Sequence, residues 1–264
     1  MSEGAPPLPA VLVTGGAKRI GAAIARRFGA AGWHVVIHYG SSAREAEALA
    51  AALPSAETVH CDLADGDAAV AMVAAFAGRL PDWRVLVNSA SIFHPDPVTA
   101  LDPRTYDRAT QVNAATPARL AQAFLARARA AGGRRVIQVT DQKLANPNPD
   151  FFSYTMSKHA VAAIVPMLAR MREAGGAAQP ADRVYALAPG AILPSHDQSE
   201  AETEVSHRLN LLQRKTMPGE LADACLWLAE GWLASGETLY LDSGQHLLAQ
   251  PRDVIYLARE GARP

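Results

Sequence analysis

The chain is poor in the residues that staple small or secreted proteins. Its 264 residues include two cysteines, Cys61 and Cys225, far apart and in no CxxC or Cys/His grouping. That excludes a disulfide framework and a zinc site, so no metal is expected and a reducing cytoplasm is the expected setting. Neither sign of charge is in excess: 25 basic residues stand against 26 acidic ones, a formal charge of -1. No general attraction to nucleic acid or to an anionic membrane follows, and any basic site must be local. Long apolar runs are missing too, because the alanine-rich stretches carry Arg, Asp or Glu every few residues, and none has membrane-spanning length. Met1 to Pro9 is proline-rich and lacks the basic flank and apolar run of a secretory signal, so it reads as a loose tail on a soluble protein.

What is present suffices for a sizeable core, since 49% of the residues are apolar. Short β-branched runs (Val11–Val13, Val35–Ile37, Thr58–Val59, Val85–Val87, Arg135–Val139 and Arg183–Leu187) alternate with longer segments of helical period. The longest of these helical segments is Leu101 to Ala131. A further strand-like run, Thr238 to Asp242, follows. Strand and helix in alternation imply a doubly wound α/β fold: a parallel sheet of about seven strands with helices on both faces, buried on both sides and therefore continuously apolar. No linker or repeat divides the chain, although Ala174 to Pro180 reads as a flexible loop. One domain over residues 10–248 is expected, with 195–219 as a substrate lid and 249–264 as a tail whose apolar Val254 to Leu257 suits an oligomer interface.

Three stretches carry chemistry. The first strand runs into Thr14-Gly15-Gly16-Ala17-Lys18-Arg19-Ile20-Gly21 and then a helix. Glycines there allow a tight turn and close approach of a pyrophosphate to free N–H groups at a helix start. A plain strand-to-helix turn is the alternative, against which Lys18 and Arg19 add two cations suited to phosphates. The second strand ends at His38-Tyr39-Gly40-Ser41-Ser42 with no Asp or Glu to read an unphosphorylated ribose. His38, Tyr39, Ser41 and Ser42 with the basic pair make a cradle for a 2′-phosphate and favour NADP(H), while Ser41-Ser42 also suits a helix N-cap. Finally, Tyr154 and Lys158 stand four residues apart, one above the other on a helix face, and make a proton donor with a built-in cation.

Taken in order, these features resemble the short-chain dehydrogenase/reductase family over nearly the whole chain. The glycine turn at Thr14 to Gly21 is followed by Asp62-Leu63, Asn88-Ser89-Ala90-Ser91, Asn113, Tyr154 with Lys158, and Pro189-Gly190. The resemblance implies a Rossmann-like fold and hydride transfer with NADP(H). It makes Tyr154, Lys158 and Asn113 catalytic, with Lys158 lowering the phenol pKa and holding the nicotinamide ribose. It places Gly15, Ile20, Gly21, Asp62, Leu63, Asn88, Ser89, Ala90, Thr140, Pro189 and Gly190 along the cofactor, and implies a homotetramer or homodimer.

Two departures narrow it. Arg19 replaces the middle glycine of the turn, and Asp141 stands where the family's catalytic serine is expected. Both are similar to the pteridine reductase branch, which includes the dihydromonapterin and dihydrobiopterin reductases. A carboxylate would repel the oxyanion formed from a ketone, whereas a pterin offers N–H and amino groups for it to accept, and reduction of its C=N bond needs a proton on nitrogen. Asp141 is therefore expected to orient the substrate and to share in proton delivery, its alternative being an Asx-turn or cap before the Pro147/Pro149 loop. Ser91 and Phe93 complete the expected substrate site. Phe93 is the ring for stacking on a flat heterocycle, although the branch has its aromatic one place earlier, where Ile92 stands. His196, Asp197 and Lys215 either contact a substrate side chain or belong to a solvated loop.

Overall fold

A computed structural model describes residues 6–171, 176, 179–195 and 197–261, so His196, the first five residues and most of the expected 174–180 loop lie outside the described residues. The strands are β1 (Ala10–Thr14), β2 (His34–Tyr39), β3 (Ala56–His60), β4 (Trp83–Asn88), β5 (Arg135–Val139), β6 (Arg183–Pro189) and β7 (Thr238–Leu241). They form one sheet in the order β3-β2-β1-β4-β5-β6-β7, every pair parallel. The order reverses between β1 and β4, and a crevice opens there at the carboxyl ends of the strands.

The helices are α1 (Arg19–Ala30), α2 (Ala43–Ala51), α3 (Gly66–Arg79), α4 (Pro103–Thr110), α5 (Thr116–Arg127), α6 (Phe152–Ala169), α7 (Glu200–Ser206), α8 (Pro218–Glu230) and α9 (Val254–Gly261). Strand residues alternate between the two faces, as the period of two demands. Val11, Val13, Val35 and Ile37 pack with Ile24 and Phe28 of α1, Leu49 of α2 and Leu221 and Leu228 of α8. Leu12, Leu86 and Val136 pack on the other face with Val73 and Phe76 of α3, Leu120 and Phe124 of α5 and Val165 and Leu168 of α6. Those two apolar layers fix the strand ends that carry the site.

The structure adds detail to the sequence reading in three places. The helical segment expected from Leu101 to Ala131 runs unbroken through α4 and α5, from Pro103 to Arg127, but widens over Gln111–Ala115, where the Thr116 N–H reaches back to the Gln111 carbonyl. Pro117 has no N–H to give the Asn113 carbonyl, so the ordinary ladder cannot run through. The 195–219 segment is less loose than its charge pattern implies. Within it α7 starts on a reciprocal Ser199/Glu202 cap. The C-terminal segment, expected as a tail that suits an oligomer interface, packs one side on its own chain: Val254, Ile255 and Ala258 of α9 are buried, and Arg259 pairs with Glu202 of α7 at 2.8 Å.

Candidate active site

The crevice is a cleft of about 890 Å³ that runs from the glycine turn to α9. At the turn, Gly15 has φ +63°, and a Cβ on it would stand 2.9 Å from the Ala90 Cα, so this position excludes any other residue. The Thr14 hydroxyl accepts the N–H groups of Ser89 (3.0 Å) and Ala90 (3.1 Å), which ties the ends of β1 and β4 together. The α1 N-terminus then faces the cleft with no acidic residue in its first turn. Arg19 also lies at positive φ, +54°. Its guanidinium donates to the carbonyls of Pro194 (3.0 Å) and Leu193 (3.4 Å) across the cleft.

His38 has a different task from the one its position in the sequence suggests. Its Nδ1 accepts the Gly15 N–H at 3.1 Å and its Nε2–H donates to the Cys61 carbonyl at 3.0 Å. Burial, with a smaller contribution from His60, lowers its pKa to about 4, so the ring is neutral. It clamps the glycine turn and offers no charge to a phosphate. Lys18 is paired with Glu45 of α2 at 2.7 Å, an acidic neighbour that the strand-end motif did not reveal. Ser41 and Ser42 line the cleft, and Ser42 occupies the N-cap position of α2 without a side-chain capping bond, which leaves its hydroxyl available.

The reacting end is built on the end of β5 and the start of α6. Tyr154 and Lys158, 8% and 4% exposed, form one buried face, with the Lys158 ammonium 5.5 Å from the Tyr154 ring centroid. The Tyr154 hydroxyl donates to Asp141 Oδ2 at 2.7 Å. Asp141 Oδ1 accepts the Lys143 N–H at 2.9 Å and so caps the short turn Gln142–Leu144. Asp141 therefore caps the turn, the alternative expected for it, and also accepts the bond from the phenol. Lys158 donates to the Val139 carbonyl at 2.8 Å, and burial brings its pKa down to about 8. The phenol goes the other way from the sequence expectation. Burial, and after it the charge and hydrogen bond of Asp141, raise it well above its ordinary value. The Asp141 carboxyl is itself raised by burial.

This geometry is a dinucleotide cleft ending in a tyrosine–lysine pair. The family model described as enoyl-(acyl carrier protein) reductase matches residues 15–246. The chain belongs to the short-chain dehydrogenase/reductase family. A crystal structure of the FolM alternative dihydrofolate reductase 1 of Brucella canis, complexed with NADP, is 34% identical with a TM-score of 0.84 over 93% of this chain and 96% of that one. The granaticin polyketide synthase ketoacyl reductase 2 of Streptomyces violaceoruber is 30% identical over 94% of this chain and all of its own length. Pteridine reductase 1 of Leishmania tarentolae is 27% identical over 92% of this chain and 98% of that protein.

Within this reductase cleft most of the expected residues come together: Ile20, Gly21, Tyr39, Asp62, Leu63, Ser89, Ala90, Ser91, Phe93, Thr140, Pro189 and Gly190 all line it. Asn88 and Asn113 stand behind the wall. Asn88 donates to the Pro117 carbonyl at 3.2 Å. The Asn113 amide accepts the Ile92 N–H at 2.8 Å and donates to the Ile92 carbonyl and the Ser157 hydroxyl, so its side chain positions the Ile92 segment and ties it to α6. Phe93 stacks on Phe151 with ring centroids 3.9 Å apart and stands edge-on to Tyr154, while Ile92 lines the cleft too and packs against the core beneath it. Asp197 and Lys215 are committed to ion pairs with Arg259 and Glu204. The sequence reading missed Lys143, His207, Gln245 and Asp253, which also line the cleft. They come from a turn and from late segments without a motif.

Proposed function

We propose that the protein is an NADPH-dependent reductase of a C=N bond in a dihydropterin-like heterocycle. The cleft fits the cofactor by its glycine turn, the unopposed amino end of α1, the free hydroxyls at Ser41 and Ser42, and the buried cation of Lys158 at the expected ribose. Lys18 and Arg19 would have to turn from Glu45 and from the Leu193 and Pro194 carbonyls to meet its phosphates, which exposed side chains do at small cost. The cofactor supplies the hydride.

The observation that carries the substrate assignment is the bond from Tyr154 to Asp141. A ketone reductase needs donors around the developing oxyanion, and here the group beside the phenol is an acceptor. A pterin ring presents N–H and amino groups to that acceptor, and its reduced nitrogen takes a proton from the Tyr154 hydroxyl. The phenol's high pKa keeps that proton in place until a basic nitrogen forms, and solvent returns one to the tyrosinate after the step. Phe93 edges the same space and is the surface on which a flat ring would rest. The relatives named for dihydrofolate and pteridine support this reading. We place the enzyme in the cytoplasm as a homotetramer or homodimer, which light scattering on the purified protein would check. NADPH absorbance followed with dihydromonapterin, dihydrobiopterin and dihydrofolate tests the substrate: turnover of at least one is expected, and none with any of them would refute it.

A second reading, a reductase of an ordinary carbonyl such as a 3-oxoacyl thioester or a sugar ketone, is favoured by the ketoacyl reductase relative. It requires Asp141 to be tolerated beside an oxyanion, and a ketone panel measured with the same NADPH signal separates the two.

A further inference from the structure

Lys143 and Asp253 are buried charges in the cleft wall for which the hydride chemistry has no use. Their side chains are 5% and 9% exposed and their charged atoms are 2.7 Å apart. The Lys143 ammonium also reaches the Asp150 carbonyl at 3.4 Å and lies 5.0 Å from the centroid of the Phe151 ring. Asp253 is fixed in turn: its N–H donates to Asp150 Oδ2 at 2.8 Å, its Oδ1 accepts the Ile255 N–H at the start of α9, and Arg252 pairs with Asp150 at 2.8 Å. A buried ion pair is an inefficient way to dock a helix, since apolar side chains of the same size would serve as well without desolvating two charges.

The position of the pair gives it a reason. Lys143 lies two residues from Asp141 and already supplies the N–H that Oδ1 accepts. Asp141 is faced by Lys143 from its own turn, by Tyr154 and Lys158 from α6, while Asp253, from the segment before α9, acts on Tyr154. Burial pushes the Asp141 carboxyl up, and the charge of Lys143 is the strongest influence opposing that push, ahead of the bond from Tyr154 and of Lys158. We propose that Lys143 is a positioning residue for Asp141, its backbone N–H gripping Oδ1 while its buried ammonium, anchored on Asp253, sets the charge around the carboxyl, so the C-terminal segment is a working part of the reductase centre. The consequence for substrate rests on the reading of Asp141 as the acceptor of pterin N–H groups.

The test is carbon-13 NMR of the aspartate side-chain carboxyls in the NADP-bound protein across pH, with Asp141→Asn assigning the signal. Lys143→Met is expected to move the Asp141 midpoint up by about one pH unit or more, and Lys143→Arg to leave it near the wild-type value. In the Asp253→Asn background, where no buried charge is left unpaired, Lys143→Met is expected to give a smaller upward shift, as coupled residues do. An unchanged Asp141 midpoint on loss of Lys143 in either background overturns the proposal, and equal shifts in both overturn the part given to Asp253. With a turned-over pterin, the acid limb of kcat/KM moves with the midpoint in Lys143→Met and returns in Lys143→Arg, whereas a merely structural role lowers activity at every pH. Absence of turnover with an intact NMR shift would refute the pterin reading and leave this inference standing.

Discussion

Tyr154 and His38 show how burial assigns protonation states before any substrate arrives. Tyr154 keeps its proton because a carboxylate accepts from it in a dry cleft, so Tyr154→Phe should lower kcat by at least ~100-fold while NADPH binding, read by fluorescence, changes little. Lys158 carries a pKa of about 8 without cofactor. Its ammonium is therefore present below that pH and lost above it, and NADPH affinity should fall as pH rises through about 8, a dependence that Lys158→Met should abolish. For His38 the native pKa of about 4 lies below the 6.5 of the free side chain, so the unfolded chain binds more protons between those values. Its contribution is fully present above 6.5 and is lost as pH falls toward about 4, by about 2 kcal/mol at pH 5. Urea unfolding at pH 7 and pH 5 should show this loss in the wild type and a flatter response in His38→Gln.

At the scale of elements, the turn from β1 into α1 combines the two devices that set cofactor binding. Gly15→Ala places a methyl group against Ala90 at positive φ, so it should weaken NADPH binding by tenfold or more without unfolding the sheet, as a fluorescence titration and a circular-dichroism melt together would show. Arg19 holds a left-handed conformation that costs an ordinary residue roughly 1–2 kcal/mol. Arg19→Gly removes that strain along with the bonds to Leu193 and Pro194, so its melting temperature should stay near wild type while NADPH affinity drops. Much of this element was legible in the sequence, because glycine spacing reports backbone geometry directly. The partners of its cations were not, since Glu45 and the Leu193 carbonyl reach Lys18 and Arg19 only through the fold. The bonds of His38 were hidden for a similar reason: a histidine at a strand end faces a phosphate or the neighbouring backbone according to a side-chain direction that no pattern records.

Across the whole molecule, the alternation of short apolar runs and helical segments was enough to give seven parallel strands, because strands buried on both faces leave a continuous apolar signature. The wide turn at Gln111–Ala115 escaped notice since Pro117 is an ordinary first-turn proline by itself, and only its loss of a partner for the Asn113 carbonyl breaks the ladder. The late segments were the least legible. Their residues enter the cleft through ion pairs among Lys143, Asp150, Arg252 and Asp253, contacts separated by about a hundred residues that charge patterning does not foretell. They nevertheless close one end of the cleft whose other end is the glycine turn, so the proposed cofactor and substrate sites share one continuous crevice.

The central claim is that Asp141 selects the substrate. The measurement that tests it most directly is kcat/KM of the wild type and of Asp141→Ser, each with a dihydropterin and with a 3-oxoacyl thioester under saturating NADPH. The account predicts a fall of ~100-fold or more for the dihydropterin and a rise for the thioester, because a hydroxyl donates where the carboxylate accepts. Equal losses on both substrates, or undiminished dihydropterin turnover in Asp141→Ser, would contradict it.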